Sequence, residues 1–107
     1  SNSLNGPWQP LSPNTLGHCN NPAPWVHSNG SIFIVCGRSL QRAEDISGPW
    51  LTVALIDFTG GPAGKYEDPF LFMDKRGFHL LYHVYNTDEM RNCATSTVSA
   101  HAFSEDG

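Results

Sequence analysis

No basic run occurs anywhere in the chain. Six Lys+Arg stand against ten Asp+Glu, a formal charge of −4, whereas a protein that grips a polyphosphate backbone needs the opposite balance. Nucleic acid is therefore not the expected partner. Long apolar runs are missing too. Nothing approaches the roughly 20 apolar residues of a membrane-spanning helix, and no charged-then-apolar leader opens the sequence, so no membrane role is expected. Cysteine is scarce: Cys19, Cys36 and Cys93 include no Cys-x-x-Cys pair. That argues against a zinc centre and leaves one disulfide with a spare thiol open without indicating it. The phosphate loop, the Gly-x-Ser-x-Gly elbow and the His-Glu-x-x-His helix are all absent. Helical apolar periodicity is absent as well, because eight prolines and ten glycines interrupt the chain too often. An all-β chain of 107 residues is left, enough for one small domain with a modest core.

The chain repeats itself. Setting Pro22 on Pro69 lays residues 20–36 (NNPAPWVHSNGSIFIVC) over 67–83 (EDPFLFMDKRGFHLLYH) without a gap, and Gly30 then falls on Gly77. Gly-Pro-Trp occurs at 6–8 and again at 48–50, and HAFSEDG (101–107) resembles RAEDISG (42–48). Each unit opens with a proline-led apolar segment, turns at Ser28-Asn29-Gly30 or Lys75-Arg76-Gly77, and returns along SIFIVCG or FHLLYHVY. Glycine supplies the positive φ that a tight hairpin requires. Return strands that are apolar on both faces suit burial between two layers, and LTVALI (51–56) reads as a further strand.

Four short antiparallel strands per repeat is the pattern of a β-propeller blade. The expected organisation is a partial propeller domain over 1–107. The end of one blade and its connection would fill 1–19, one blade 20–56, and the next blade with the start of a further one 67–107. A propeller closes with about four blades at least, so the missing remainder of the same propeller is an expected partner. The chain alone is expected to be an inactive, poorly stable fragment.

EDPFLFMDKRGFHLLYH resembles the Asp-Pro strand and hairpin of the five-bladed propellers of glycoside hydrolase family 43, the arabinanase and xylosidase group. HCNNPAPW, ISGPW and HAFSEDG resemble the recurrent blade elements of relatives of that group. The resemblance implies five blades in the complete protein and a glycosidase acting on, or binding, a polysaccharide or oligosaccharide. Hydrolysis would be inverting, with an acid and a base about 6.5–9.5 Å apart on either side of the glycosidic bond. It further implies that Asp68 is the catalytic carboxylate that tunes the acid's pKa, and that the general acid lies beyond residue 107. Asn21 stands at the matching position one blade earlier, where a base would need a carboxylate. An amide there suits a hydrogen bond to a sugar hydroxyl, which is the ground for the alternative of a non-catalytic carbohydrate-binding propeller. No cofactor and no metal ligand are implied among these residues, although a complete funnel has room for a structural cation.

Each candidate has a plainer reading beside it. Asp68 before Pro69 also fits a turn, and Glu67 is a supporting neighbour placed to reach a ligand. Trp25, in the first inner strand, is placed to stack on a sugar or to fill the core. His101, ahead of Ala-Phe-Ser, is a substrate-contacting candidate in the next funnel segment, and His18, ahead of Asn20-Asn21-Pro22, is similar. His79 and His83 alternate with Leu81 onto one face and read as hydrogen-bonded core groups. Trp8 and Trp50 follow Gly-Pro equivalently and read as packing between blades. A protein-interaction propeller of the WD40 kind is least favoured, since its Trp-Asp ending and Gly-His partner are lacking. Asn29-Gly30-Ser31 is a glycosylation sequon and leans the chain towards an extracellular location.

Overall fold

Hairpins with proline or glycine at their turns make up most of the architecture among the described residues. A computed structural model of the protein describes residues 4–8, 19, 21–62, 64–85 and 98–106, with the backbone alone at Tyr85. Among them are seven strands and no helix. β1 (Ala23–Val26), β2 (Ile32–Cys36), β3 (Ser39–Ala43) and β4 (Leu51–Leu55) form one antiparallel sheet in that order. β5 (Lys65–Asp74), β6 (Gly77–Tyr85) and β7 (Val98–Ser104) form a second. The all-β expectation holds. β5, however, begins well before Pro69, the expected start of the inner strand.

The two leading hairpins turn differently, and this corrects the alignment of the repeat. Val26 pairs with Ile32 across the loop 27–31, whereas Asp74 pairs with Gly77 and leaves only Lys75-Arg76 between them. Local hydrogen bonds set both turns. The Gly30 N–H donates to the His27 carbonyl at 2.9 Å, and the Arg76 N–H donates to Asp74 Oδ1 at 2.8 Å. Gly30 and Gly77 do carry the expected positive φ, 92° and 146°. The tighter second turn moves the pairing by one residue. Ala23 faces Val35, but Phe70 faces Leu81 and not Tyr82. Leu40 pairs with Val35, and His101 pairs with Leu81. By pairing, then, 40–45 correspond to 101–106, which sets Glu44-Asp45 on Glu105-Asp106 and replaces the looser match of 42–48 to 101–107.

In that frame the two sheets meet head to tail. Ala23, Val35 and Leu40 of the first sheet form one core cluster with Leu71, Leu80 and Tyr82 of the second, flanked by Trp25, Phe33 and Phe78. The Phe33 and Phe78 rings are 5.1 Å apart. Val35 is fully buried, which stabilises by about 1.5–3 kcal/mol relative to exposure. Alternation along the strands turns Phe70, Phe72, His79, Leu81, His101 and Phe103 to the other face of the second sheet. These are the pairing counterparts of Ala23, Trp25, Phe33, Val35, Leu40 and Arg42, the side by which the first sheet grips the second. The expected burial of both faces holds at Ile34 and Val35 but not at Leu81, which is 41% exposed.

The Gly-Pro-Trp elements also share one shape. Gly6 and Gly48 have φ of 82° and 88°. A Cβ at either would lie 3.0–3.1 Å from the backbone nitrogen of the tryptophan two residues on. The packing expected of both tryptophans is met only in part: Trp50 is half-buried, while Trp8 is 69% exposed.

One aromatic knot closes the link between the sheets. Phe58 stacks on Tyr66 at 4.0 Å and meets Tyr82 edge-on at 4.9 Å. The Tyr82 hydroxyl is buried without a hydrogen-bond partner among the described residues, and burial pushes its pKa up. An unfolded tyrosine ionises near pH 10. Its neutral-state contribution is therefore present below that pH and lost as pH rises towards the folded value. Tyr82→Phe should raise stability by about 1 kcal/mol at neutral pH, because an unsatisfied buried hydroxyl is removed. It should also flatten the alkaline loss. Urea denaturation of both proteins at pH 7 and above pH 10 checks this, and a destabilised Tyr82→Phe would contradict it.

Candidate functional site

Two residues before proline hold unusual backbone at matching places. Asn21 and Asp68 are the non-glycine residues with positive φ among those described, at 49° and 50°. Asparagine and aspartate tolerate that region best, because their short polar side chains can bond locally. The proline that follows each disfavours a right-handed helical conformation. The side chains are thereby aimed and not left to a mobile turn. Asn21 Nδ2 donates to Asp68 Oδ1 at 2.8 Å, across 47 residues of sequence and from one sheet to the other. Both residues are exposed.

A bulge then arranges what surrounds Asp68. Between Glu67 and Phe70 the register of β5 against β6 shifts, so that Phe70 opposes Leu81 but Glu67 opposes His83. The extra residue in β5 has a simple cause: Pro69 cannot donate to the ladder, and proline inside a sheet is confined to edges and bulges. Without the extra residue Glu67 would share the core-facing side of Leu71. With it, Glu67 turns to the His83 side, and Tyr66 takes its place against the core. One ligating atom each from Glu67, Asp68 and His83 lies within 4.8 Å of the others. Two carboxylates and an imidazole are donors of the kinds that bind a divalent cation, though three do not complete a coordination shell.

The arrangement makes a polar patch. Asp68 Oδ1 is fixed by the Asn21 amide, while Asp68 Oδ2 takes no hydrogen bond among the described residues. A carboxylate so held presents an acceptor in a set direction, and the Asn21 carbonyl oxygen offers a second beside it. Glu67 and Asp68 approach more closely than the about 6.5–9.5 Å that separates an inverting acid and base, so these two do not form such a pair.

Asp68, Asn21 and Glu67 are thus brought together, with His83, a residue expected in the core. The signal that could have found His83 is the proline-induced bulge, which sets it opposite Glu67. Trp25 and His101 are not brought to this group. Trp25 is half-buried against the core cluster, and its indole Nε1 has no partner among the described residues. His101 lies in β7, two strands or about 10 Å from β5. Its Nε2 is 2.9 Å from His79 Nδ1, and the two rings stack at 5.1 Å. His79 is buried, as expected, with its Nε2 3.1 Å from Asp74 Oδ1. The backbone N–H and guanidinium of Arg76 hold the Asp74 carboxyl well below the usual range, and His79 adds to this. His18 lies outside the described residues. Family models, curated proteins and solved structures all give no match to this chain.

Proposed function

We propose that this chain supplies adjacent blades of a β-propeller of the glycoside hydrolase family 43 type, five-bladed when complete, and that its Asn21–Asp68 end binds a carbohydrate. The observation that carries the reading is the bond between Asn21 and Asp68, which links matching positions of two repeats across two sheets. Inner strands converging on an axis would produce such a contact, and β1 and β5 are the strands through which the sheets approach most closely. Head-to-tail packing is what a rotational repeat requires. The outward face of the second sheet, with Phe70, Leu81 and Phe103 at 61%, 41% and 49% exposure, is where a next blade would pack. A paired amide and carboxylate match the alternating donors and acceptors of neighbouring sugar hydroxyls.

Binding is the reading favoured over hydrolysis, since Asn21 replaces a base and no inverting pair stands among these residues. The second acid beside Asp68, Glu67, keeps hydrolysis as a second reading, with Asp68 tuning a general acid supplied from elsewhere. Both are tested together in the full-length protein on an array of plant and algal oligosaccharides, with reducing-sugar release measured on those that bind. Asp68→Asn preserves the backbone conformation but removes a charged acceptor worth about 1.5–3 kcal/mol. Affinity should fall about 10-fold or more, with the melting temperature within a few degrees of wild type. No glycan bound by the wild type, or equal binding by Asp68→Asn, would overturn the proposal. Sugar release that Asp68→Asn abolishes would establish the hydrolytic reading.

A further inference from the structure

The sequon has no part in the Asn21–Asp68 site, yet the fold presents it in a particular way. Asn-x-Ser triplets arise often by chance, so the triplet alone decides nothing. Asn29 is exposed at the tip of the β1–β2 hairpin. Its Oδ1 accepts from the Ser31 N–H at 3.0 Å and from Ser31 Oγ at 2.7 Å. Its Nδ2 has no hydrogen-bond partner among the described residues, so attaching a group there breaks no bond of the turn. Space is available as well: a Cβ built on neighbouring Gly30 meets nothing within 4 Å. A second and independent fact is the Cys19–Cys36 disulfide. Such bonds persist in the oxidising compartments of the secretory route, where the sugar donor for this modification is found.

We infer that Asn29 carries an N-linked oligosaccharide. The donor is an oligosaccharide joined to a lipid pyrophosphate. Asn29 Nδ2 forms a bond to the anomeric carbon, the bond from that carbon to the pyrophosphate oxygen breaks, the pyrophosphate leaves with the electron pair, and the amide gives up one proton. Ser31 is buried in the folded hairpin, so transfer takes place on the emerging chain before the hairpin closes. The folded protein has only to accommodate the product, and the open tip does so. Asn21 lies at the other end of β1, roughly 20 Å away along an extended chain, so the glycan leaves the Asn21–Asp68 end uncovered. The inference does not depend on that end binding sugar.

The test uses the whole chain secreted from a eukaryotic host. Intact mass and peptide mapping should find one glycan, on Asn29, which peptide N-glycosidase removes to leave aspartate. Asn29→Asp keeps the oxygen acceptor for Ser31, so the hairpin folds as before while the mass step is lost completely. Ser31→Thr keeps the hydroxyl and should keep the glycan. Secreted, disulfide-bonded wild type with unmodified Asn29, or a glycan that persists in Asn29→Asp, would overturn the inference.

Discussion

Gly77→Ala should cost about 3 kcal/mol or more and release β7 from its sheet. Gly77 has a φ of 146°, a conformation that costs a residue with a side chain about 1–3 kcal/mol by itself. Space is the second penalty. A Cβ there would collide with the Ser104 carbonyl oxygen and sit 2.8 Å from Glu105 Cα. Both are backbone atoms at the end of β7, which cannot swing aside as a flexible side chain would. Gly30 occupies the aligned place in the first hairpin with a φ of 92° and nothing within 4 Å. Gly30→Ala should therefore cost only the conformational part, about 1–2 kcal/mol. Urea denaturation of the two variants gives the comparison, and hydrogen exchange over 98–104 reports the loosening of β7. Equal costs at the two glycines would show that close approach to Ser104 does not matter.

Breaking the Cys19–Cys36 disulfide should be comparably severe. Its half-cystines are 17 residues apart, and closing a loop of about that length removes about 3 kcal/mol of unfolded-state entropy. Natural domains have only about 5–15 kcal/mol in hand, so this is a large fraction. The bond joins the end of β2 to the residue two places before Asn21. Cys19→Ser with Cys36→Ser should therefore lower the denaturation midpoint and also weaken sugar binding, through a less well held Asn21. A midpoint unchanged by reduction would show that the hairpin closes equally well without the bond.

Strand content was legible because proline and glycine punctuate the chain at hairpin intervals, and the repeat because Pro22 and Pro69 hold matching places, Pro22 just ahead of β1 and Pro69 at the bulge inside β5. Register was not legible. It depends on turn length, and the loop 27–31 and the tight turn at Lys75-Arg76 look alike when Gly30 is set on Gly77. A one-residue slip changes which face of a strand meets the core, so the true counterparts emerge only from the pairing. Glu67 shows the same effect within a single strand, since the bulge beside Pro69 decides whether it faces the core or His83. Asp68 stood out in its Asp-Pro context, and its correspondence to Asn21 was visible as well. Their direct contact was not, because it depends on how two sheets approach. Nor could three cysteines reveal which two pair; Cys93 lies outside the described residues. His101 was singled out from its sequence neighbourhood alone, whereas its partner proves to be His79 on the outward face.

The measurement that tests the central claim most directly is a double-mutant cycle on sugar affinity. Asn21→Gly, Asp68→Gly and the double variant keep the positive φ that each position requires while deleting the side chains that meet at 2.8 Å. Calorimetric titration with the best-binding oligosaccharide of the array should show each single variant weakened about 10-fold. The double variant should be little worse than either, with a coupling of about 1 kcal/mol or more, because the two groups act as one unit. Single variants that bind as tightly as wild type would contradict the account and leave Asn21 and Asp68 as residues of the strand turns alone.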